Sequence, residues 1–119
     1  MKQGNIILEK SYTFSLRIVK LYIHLRKQKV ERELLIQLLR SGTSIGANVE
    51  EAVGAQSKND FIHKLSIAYK ESRETSFWLK LLNEAGILEI KLATSFLMDI
   101  DELKKILASI LKTSKTIYN

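Results

Sequence analysis

Lys10, Arg17, Lys20, His24 and Lys27 follow one another at intervals of seven, three, four and three residues. Turned at about 100° per residue, they fall on one side of a helix. A line of cations with that geometry can track a phosphate backbone, because each neutralised phosphate releases its counterions. The stripe contains no aromatic residue to stack on a base and no Asn or Gln to fork onto a base edge. The chemistry it offers is therefore backbone contact with RNA or DNA, with little sequence preference. A solvated helix face would carry the same residues, and that reading stays open beside it.

Metal and acid–base chemistry find less support. His63 follows Asp60 at the i, i+3 spacing of a carboxylate-bridged metal helix, but the second helix of such a centre is missing, since Leu21 holds the equivalent place before His24. Cysteine is absent, which excludes disulfides and thiolate ligands. Two histidines without supporting spacing define no Ser–His–Asp triad. The expectation is a protein with no catalytic residues, no metal and no cofactor.

The elements that must position the stripe follow from length and patterning. With 119 residues and 45% hydrophobic content, the chain suits one domain over 1–119 with a core of its own. The N-terminal MKQGNIILEKSYTF lacks the apolar core of a secretory signal. No stretch approaches the ~18 apolar residues of a membrane span, so a cytoplasmic location away from membranes is expected. The net charge of +6 is uneven: residues 1–40 hold nine Lys or Arg against three Glu, 41–90 are slightly acidic, and 91–119 hold five Lys against three acids. Lys104, Lys105, Lys112 and Lys115 carry the excess at the far end. Such a balance favours a polyanion partner.

Proline is absent and glycine occurs only at 4, 42, 46, 54 and 86, so few residues interrupt long helices. Four are predicted, at about 6–27, 31–54, 58–85 and 92–115. Ser57 with Asp60 forms a capping-box-like start, and Gly54 and Gly86 stand where helix C-termini favour the left-handed conformation. Short links between helices of similar length give an all-α, antiparallel up-down-up-down four-helix bundle. The small-residue run SGTSIGANVEEA at 41–52 belongs inside the second helix: Leu35, Leu38, Gly42, Ile45, Gly46, Val49, Ala52 and Val53 form one stripe. It has neither the lysine of a phosphate loop nor a G-x-G-x-x-G turn, and its glycines mark a close helix approach.

Two helices have more apolar surface than a bundle core needs. In the first, Ile7, Leu8, Tyr12, Phe14, Leu16, Ile18, Val19, Leu21, Tyr22, Ile23 and Leu25 spread over roughly 220°, against little more than about 100° for an ordinary surface helix. In the third, Phe61, Leu65, Tyr69, Ser72, Ser76 and Leu79 make one stripe and Ile67, Trp78, Leu81 and Ala85 a second. Two-sided helices predict a homo-oligomer. Arg40, Ser44, Asn48 and Glu51 beside the second helix's apolar stripe, with Glu71 and Glu74 on the third, could form a polar layer, either solvated or ion-paired.

The run from Arg40 to Leu82, RSGTSIGANVEEAVGAQSKNDFIHKLSIAYKESRETSFWLKLL, resembles the signature of the bacterial 23S rRNA intervening-sequence protein family. The matching residues are Ser44-Ile45, Asn48 and Glu51, then Phe61, Leu65, Ala68, Lys70-Glu71, Arg73-Glu74-Thr75 and Trp78-Leu79. Ser72 stands where alanine is frequent. The resemblance implies an antiparallel four-helix bundle assembling as a homopentamer. It also implies kinship with the basic accessory protein of diversity-generating retroelements, and through it nucleic-acid binding. Two functions are carried forward: a nucleic-acid-binding oligomer, and a protein-interaction scaffold with no nucleic-acid role.

Overall fold

The structure, a computed structural model, describes residues 2–118, and the side chains of 5–115. Met1 and Asn119, the ends of the expected domain, lie outside the described residues. Four helices account for almost all of it: α1 (Lys2–Arg26), α2 (Arg32–Val53), α3 (Lys58–Glu84) and α4 (Ile90–Tyr118). Among the described residues there is no strand. The expected helices are all present, but α1 starts four residues earlier and α4 runs from Ile90 to Tyr118, since no proline or cap residue stops either one there.

The links are set locally. The Ser57 hydroxyl accepts from the Asp60 backbone N–H at 3.1 Å and so caps α3, as the Ser57/Asp60 spacing predicts. After α3, Gly86 adopts φ +80°, and the Ile87 and Leu88 N–H groups both donate to the Leu82 carbonyl. The Asn83 side-chain amide ties the turn down by donating to the Leu88 carbonyl at 2.9 Å. Gly54 departs from expectation. Its φ is −93°, because the Ala55 N–H closes a tight last turn onto the Ala52 carbonyl and no left-handed residue is required.

Each helix packs on its neighbour in sequence, and α1 also meets α4, so the four surround one core in a body of 49 × 21 × 19 Å. Among the described residues neither diagonal pair brings its backbones close together, and the α1–α4 seam is the most lightly packed of the four. Phe14, Ile18, Leu21 and Leu25 of α1 share one core with Leu35, Leu38, Ile45 and Val49 of α2, Leu65, Leu79 and Leu82 of α3, and Phe96, Ile100, Leu103 and Leu107 of α4. The buried hydroxyls of Ser41, Ser72 and Thr75 donate to carbonyls one turn back, which satisfies them within their own helices.

Helix α2 runs unbroken through Gly42 and Gly46, and α1 lies against both. A Cβ at Gly42 would sit 2.8 Å from Ile18 Cγ1. At Gly46 it would sit 2.6 Å from Ser15 Oγ and 3.1 Å from the Ser11 carbonyl oxygen, which is backbone and cannot move aside. The predicted stripe holds for Leu35 to Ala52, while Val53 at the helix end is half exposed. Gly46→Leu is expected to destabilise the protein by about 1–3 kcal/mol through overpacking. Chemical denaturation checks it, and an unchanged midpoint would remove the close-contact role.

Candidate nucleic-acid interface

The rotation of α1 that buries Ile7, Phe14, Ile18, Leu21 and Leu25 decides where every other residue on it points. Tyr12, Leu16, Val19 and Ile23 face outward, with exposures of 63, 48, 37 and 54%. Only part of the wide apolar sector therefore enters the core. The basic stripe lies between these two faces, on the side turned to α4, and not opposite the core as a solvated stripe would.

The five predicted residues divide into two groups there. Lys10 is ion-paired with Glu102 of α4 at 3.1 Å. The Arg17 guanidinium pairs with Asp99, donates to Ser95 Oγ at 3.0 Å, and lies 4.0 Å above the centre of the Phe96 ring. Phe96 in turn meets Phe14 edge to face at 5.9 Å. Glu9, Asp99 and Glu102 line this half of the seam, so its local charge is mixed. Lys10 and Arg17 each pair with a carboxylate of α4, so the five candidate residues do not stand in equivalent surroundings.

Lys20, His24 and Lys27 are exposed and take part in no ion pair among the described residues. They continue into the α1–α2 turn, where Arg26, Lys29 and Arg32 are also exposed and outside any ion pair among the described residues. Arg26 donates to the Tyr22 hydroxyl at 3.1 Å and lies 5.8 Å from its ring centre. Arg32, and after it Arg26, lowers the Tyr22 pKa by hydrogen bonding and by favouring the phenolate charge, against a smaller opposing effect of burial. These six basic residues lie together at the end of α1 and the α1–α2 turn, while Lys70, Arg73, Lys80, Lys91, Lys105 and Lys115 on α3 and α4 are likewise exposed and outside any ion pair among the described residues. Arg26, Lys29 and Arg32 were missed because a search for helical spacing passes over a turn, although the run RKQKVER carries the charge in plain view.

Below Lys20 and His24 the seam opens into a cleft of about 360 Å³ lined by Arg17, Lys20, Leu21, His24, Leu92 and Phe96. The apolar floor comes partly from α4, so the stripe on α1 alone gave no sign of it.

The second candidate location is the α2–α3 seam. Arg40 bridges Glu71, at 3.2 Å, and Glu74. The Trp78 indole N–H also donates to Glu74, at 3.2 Å, and the exposed Phe77 ring packs edge-on to the indole at 5.1 Å. Trp78 is thereby held half-buried against the core, whereas Leu81 and Ala85 of the predicted second α3 stripe are exposed. Lys64 pairs with Glu51 at 3.0 Å, and the Asn48 amide donates to the Ser44 carbonyl of its own helix at 2.8 Å. Burial disfavours the Arg40 charge, but the hydrogen bond and negative charge of Glu74, with those of Glu71, outweigh it and raise the Arg40 pKa. The Lys64 pKa is likewise raised by its hydrogen bond to Glu51 and the attraction between them. These residues are occupied with one another, so the polar layer is ion-paired. Among the described residues no group of His, Asp and Glu could hold a metal ion, and no helix is long and apolar enough to cross a membrane.

The family model described as 23S rRNA-intervening sequence protein matches residues 3–109. The chain belongs to this family. No curated protein matches it. Among solved structures, it is similar to the crystal structure of a protein of unknown function from the S23 ribosomal protein family of Bacteroides thetaiotaomicron VPI-5482. The two share 45% identity over 92% of this chain and 98% of that one, with a TM-score of 0.86. Of the residues that carry the family resemblance, Glu51, Glu71, Glu74 and Trp78 are tied into the α2–α3 seam, where Arg40 and Lys64 pair with the three carboxylates, while Ile45, Leu65, Ala68, Thr75 and Leu79 are buried and Lys70 and Arg73 exposed. Arg40→Gln is expected to lower stability by about 1 kcal/mol, as for a half-exposed ion pair. It should leave any nucleic-acid affinity unchanged. Thermal unfolding beside a binding titration reads both.

Proposed function

We propose that this chain is a non-enzymatic, cytoplasmic protein that binds RNA or DNA through its phosphate backbone and acts as a closed homo-oligomer, with five subunits, of antiparallel up-down-up-down bundles. The observation that carries the binding is the cluster of exposed basic residues at one end that take part in no ion pair among the described residues: Lys20, His24 and Lys27 on α1, continued by Arg26, Lys29 and Arg32. A structural role would have spent these charges on carboxylates, as it does at Lys10, Arg17 and Arg40. The family's description ties it to 23S rRNA intervening sequences, and that of the similar structure to a ribosomal protein family, which favours RNA as the polyanion.

Support for the antiparallel arrangement comes from the pairing register, in which residue numbers rise along one helix as they fall along its neighbour. Lys10 meets Glu102 whereas Arg17 meets Asp99 and Ser95. Likewise Arg40 meets Glu74 whereas Glu51 meets Lys64. Support for assembly comes from the outward line of Tyr12, Leu16, Val19 and Ile23, an apolar stripe that one bundle leaves uncovered. The same stripe favours a second reading, a scaffold whose partner is another protein and whose basic end only aids solubility.

Binding is expected to weaken steeply with salt. Replacing Lys20, Lys27 and Arg32 with Gln should flatten the slope of log affinity against log salt by about 0.7–0.9 for each phosphate that is no longer neutralised, for all sequences alike. Lys10→Gln should change it little. If the parent binds no RNA or DNA at low salt, the scaffold reading takes its place. Light scattering is expected to give a pentamer for the parent and smaller species for a Leu16→Glu, Ile23→Glu double variant. A monomeric parent would contradict the assembly.

A further inference from the structure

Phosphate binding alone leaves the α1–α4 cleft without a use. Its floor is apolar, from Leu21 of α1 and Leu92 and Phe96 of α4, while Lys20 and His24 stand at its rim, outside any ion pair among the described residues. Phe96 is only 3% exposed because the Arg17 guanidinium covers its ring. That guanidinium is fixed by Asp99 and Ser95 and lines the same cleft. A planar cation held in one place, with an aromatic ring beneath it and apolar side chains beside it, suits a flat, polarisable ligand stacked on it. The cationic rim suits an anion attached to that ligand. At about 360 Å³ the cleft lies at the small end of ligand-sized sites.

We infer that the cleft takes one unpaired nucleobase of a bound strand, seated against Arg17, Leu21 and Leu92, with the phosphates on either side held by Lys20, His24 and Lys27. This rests on the phosphate-binding reading above and gives it a strand preference. In a duplex the bases are stacked inward, and one would have to be extruded before it could enter. The protein therefore selects single-stranded segments, loops or ends over continuous duplex. Base identity matters little to it, since the Arg17 guanidinium is committed to Asp99 and Ser95 and presents its plane, and no Asn, Gln or carboxylate lines the cleft. The opposite half of the seam offers no such site, because Glu9, Asp99 and Glu102 would repel the phosphates there.

The test uses the assembled protein and two single-stranded DNA probes with the same number of phosphates, one carrying bases and one built of abasic tetrahydrofuran units. The base-bearing strand is expected to bind about tenfold more tightly at the same salt concentration. Leu92→Gln, which changes no charge, should bring the two affinities together by weakening only the base-bearing strand. A 2-aminopurine in that strand should lose fluorescence on binding the parent and not the variant. Equal, salt-dependent binding of both strands by the parent would overturn the inference and leave the phosphate reading standing. Binding of neither strand would overturn both.

Discussion

The close crossing of α1 over α2 at Gly42 and Gly46 sets the rotation of α1, and most of what is distinctive about the molecule depends on that rotation. Ile18 is seated on Gly42, and Ser11 and Ser15 lie against Gly46, so larger side chains on either helix would push α1 outward. With that crossing fixed, Phe14, Leu21 and Leu25 can only point to the core, Arg17 can only reach α4, and Tyr12, Leu16, Val19 and Ile23 are left facing solvent. Interiors are packed too densely for α1 to turn without opening a void at Ile18. One helix thereby has three surfaces: one in the core, one basic, and one apolar and exposed.

Charge is divided in the same geometric way. Carboxylates occur where a helix seam must be held, at Glu71 and Glu74 opposite Arg40, at Glu51 opposite Lys64, and at Asp99 and Glu102 opposite Arg17 and Lys10. Half-exposed pairs like these add little stability singly. Their consequence is to neutralise Lys10, Arg17, Arg40 and Lys64 along the seams, whereas Arg26, Lys27, Lys29 and Arg32 at the α1–α2 turn stand beside only Glu31 and Glu33 in sequence. A basic cluster at one end steers a polyanion to that end. In a closed ring, several such ends presented together would turn weak single contacts into firm attachment.

Much of this was legible in the residues. Absent proline and the periodicity of Leu35 to Ala52 defined α2 through its glycines, and Ser57 with Asp60 located the start of α3. Gly86 was recognisable as a left-handed helix end, whereas Gly54 looked identical and is not, because the choice between a tight turn and a left-handed cap depends on the residues after it. The basic stripe was visible as a stripe. Its division was not, since Asp99 and Glu102 lie more than eighty residues from Arg17 and Lys10, and only the folded seam joins them. The cleft was invisible for the same reason, its floor coming from two helices at opposite ends of the chain.

Lysine footprinting by acylation and mass spectrometry, with and without single-stranded RNA, tests the central claim most directly, because it reads every lysine of the protein at once. The account predicts strong protection of Lys20, Lys27 and Lys29, with Lys70, Lys80 and Lys105 labelled equally in both states. Protection confined to Lys70 and Lys80 on α3 or Lys105 on α4, with the α1–α2 turn labelled as freely as in the absence of RNA, would contradict it.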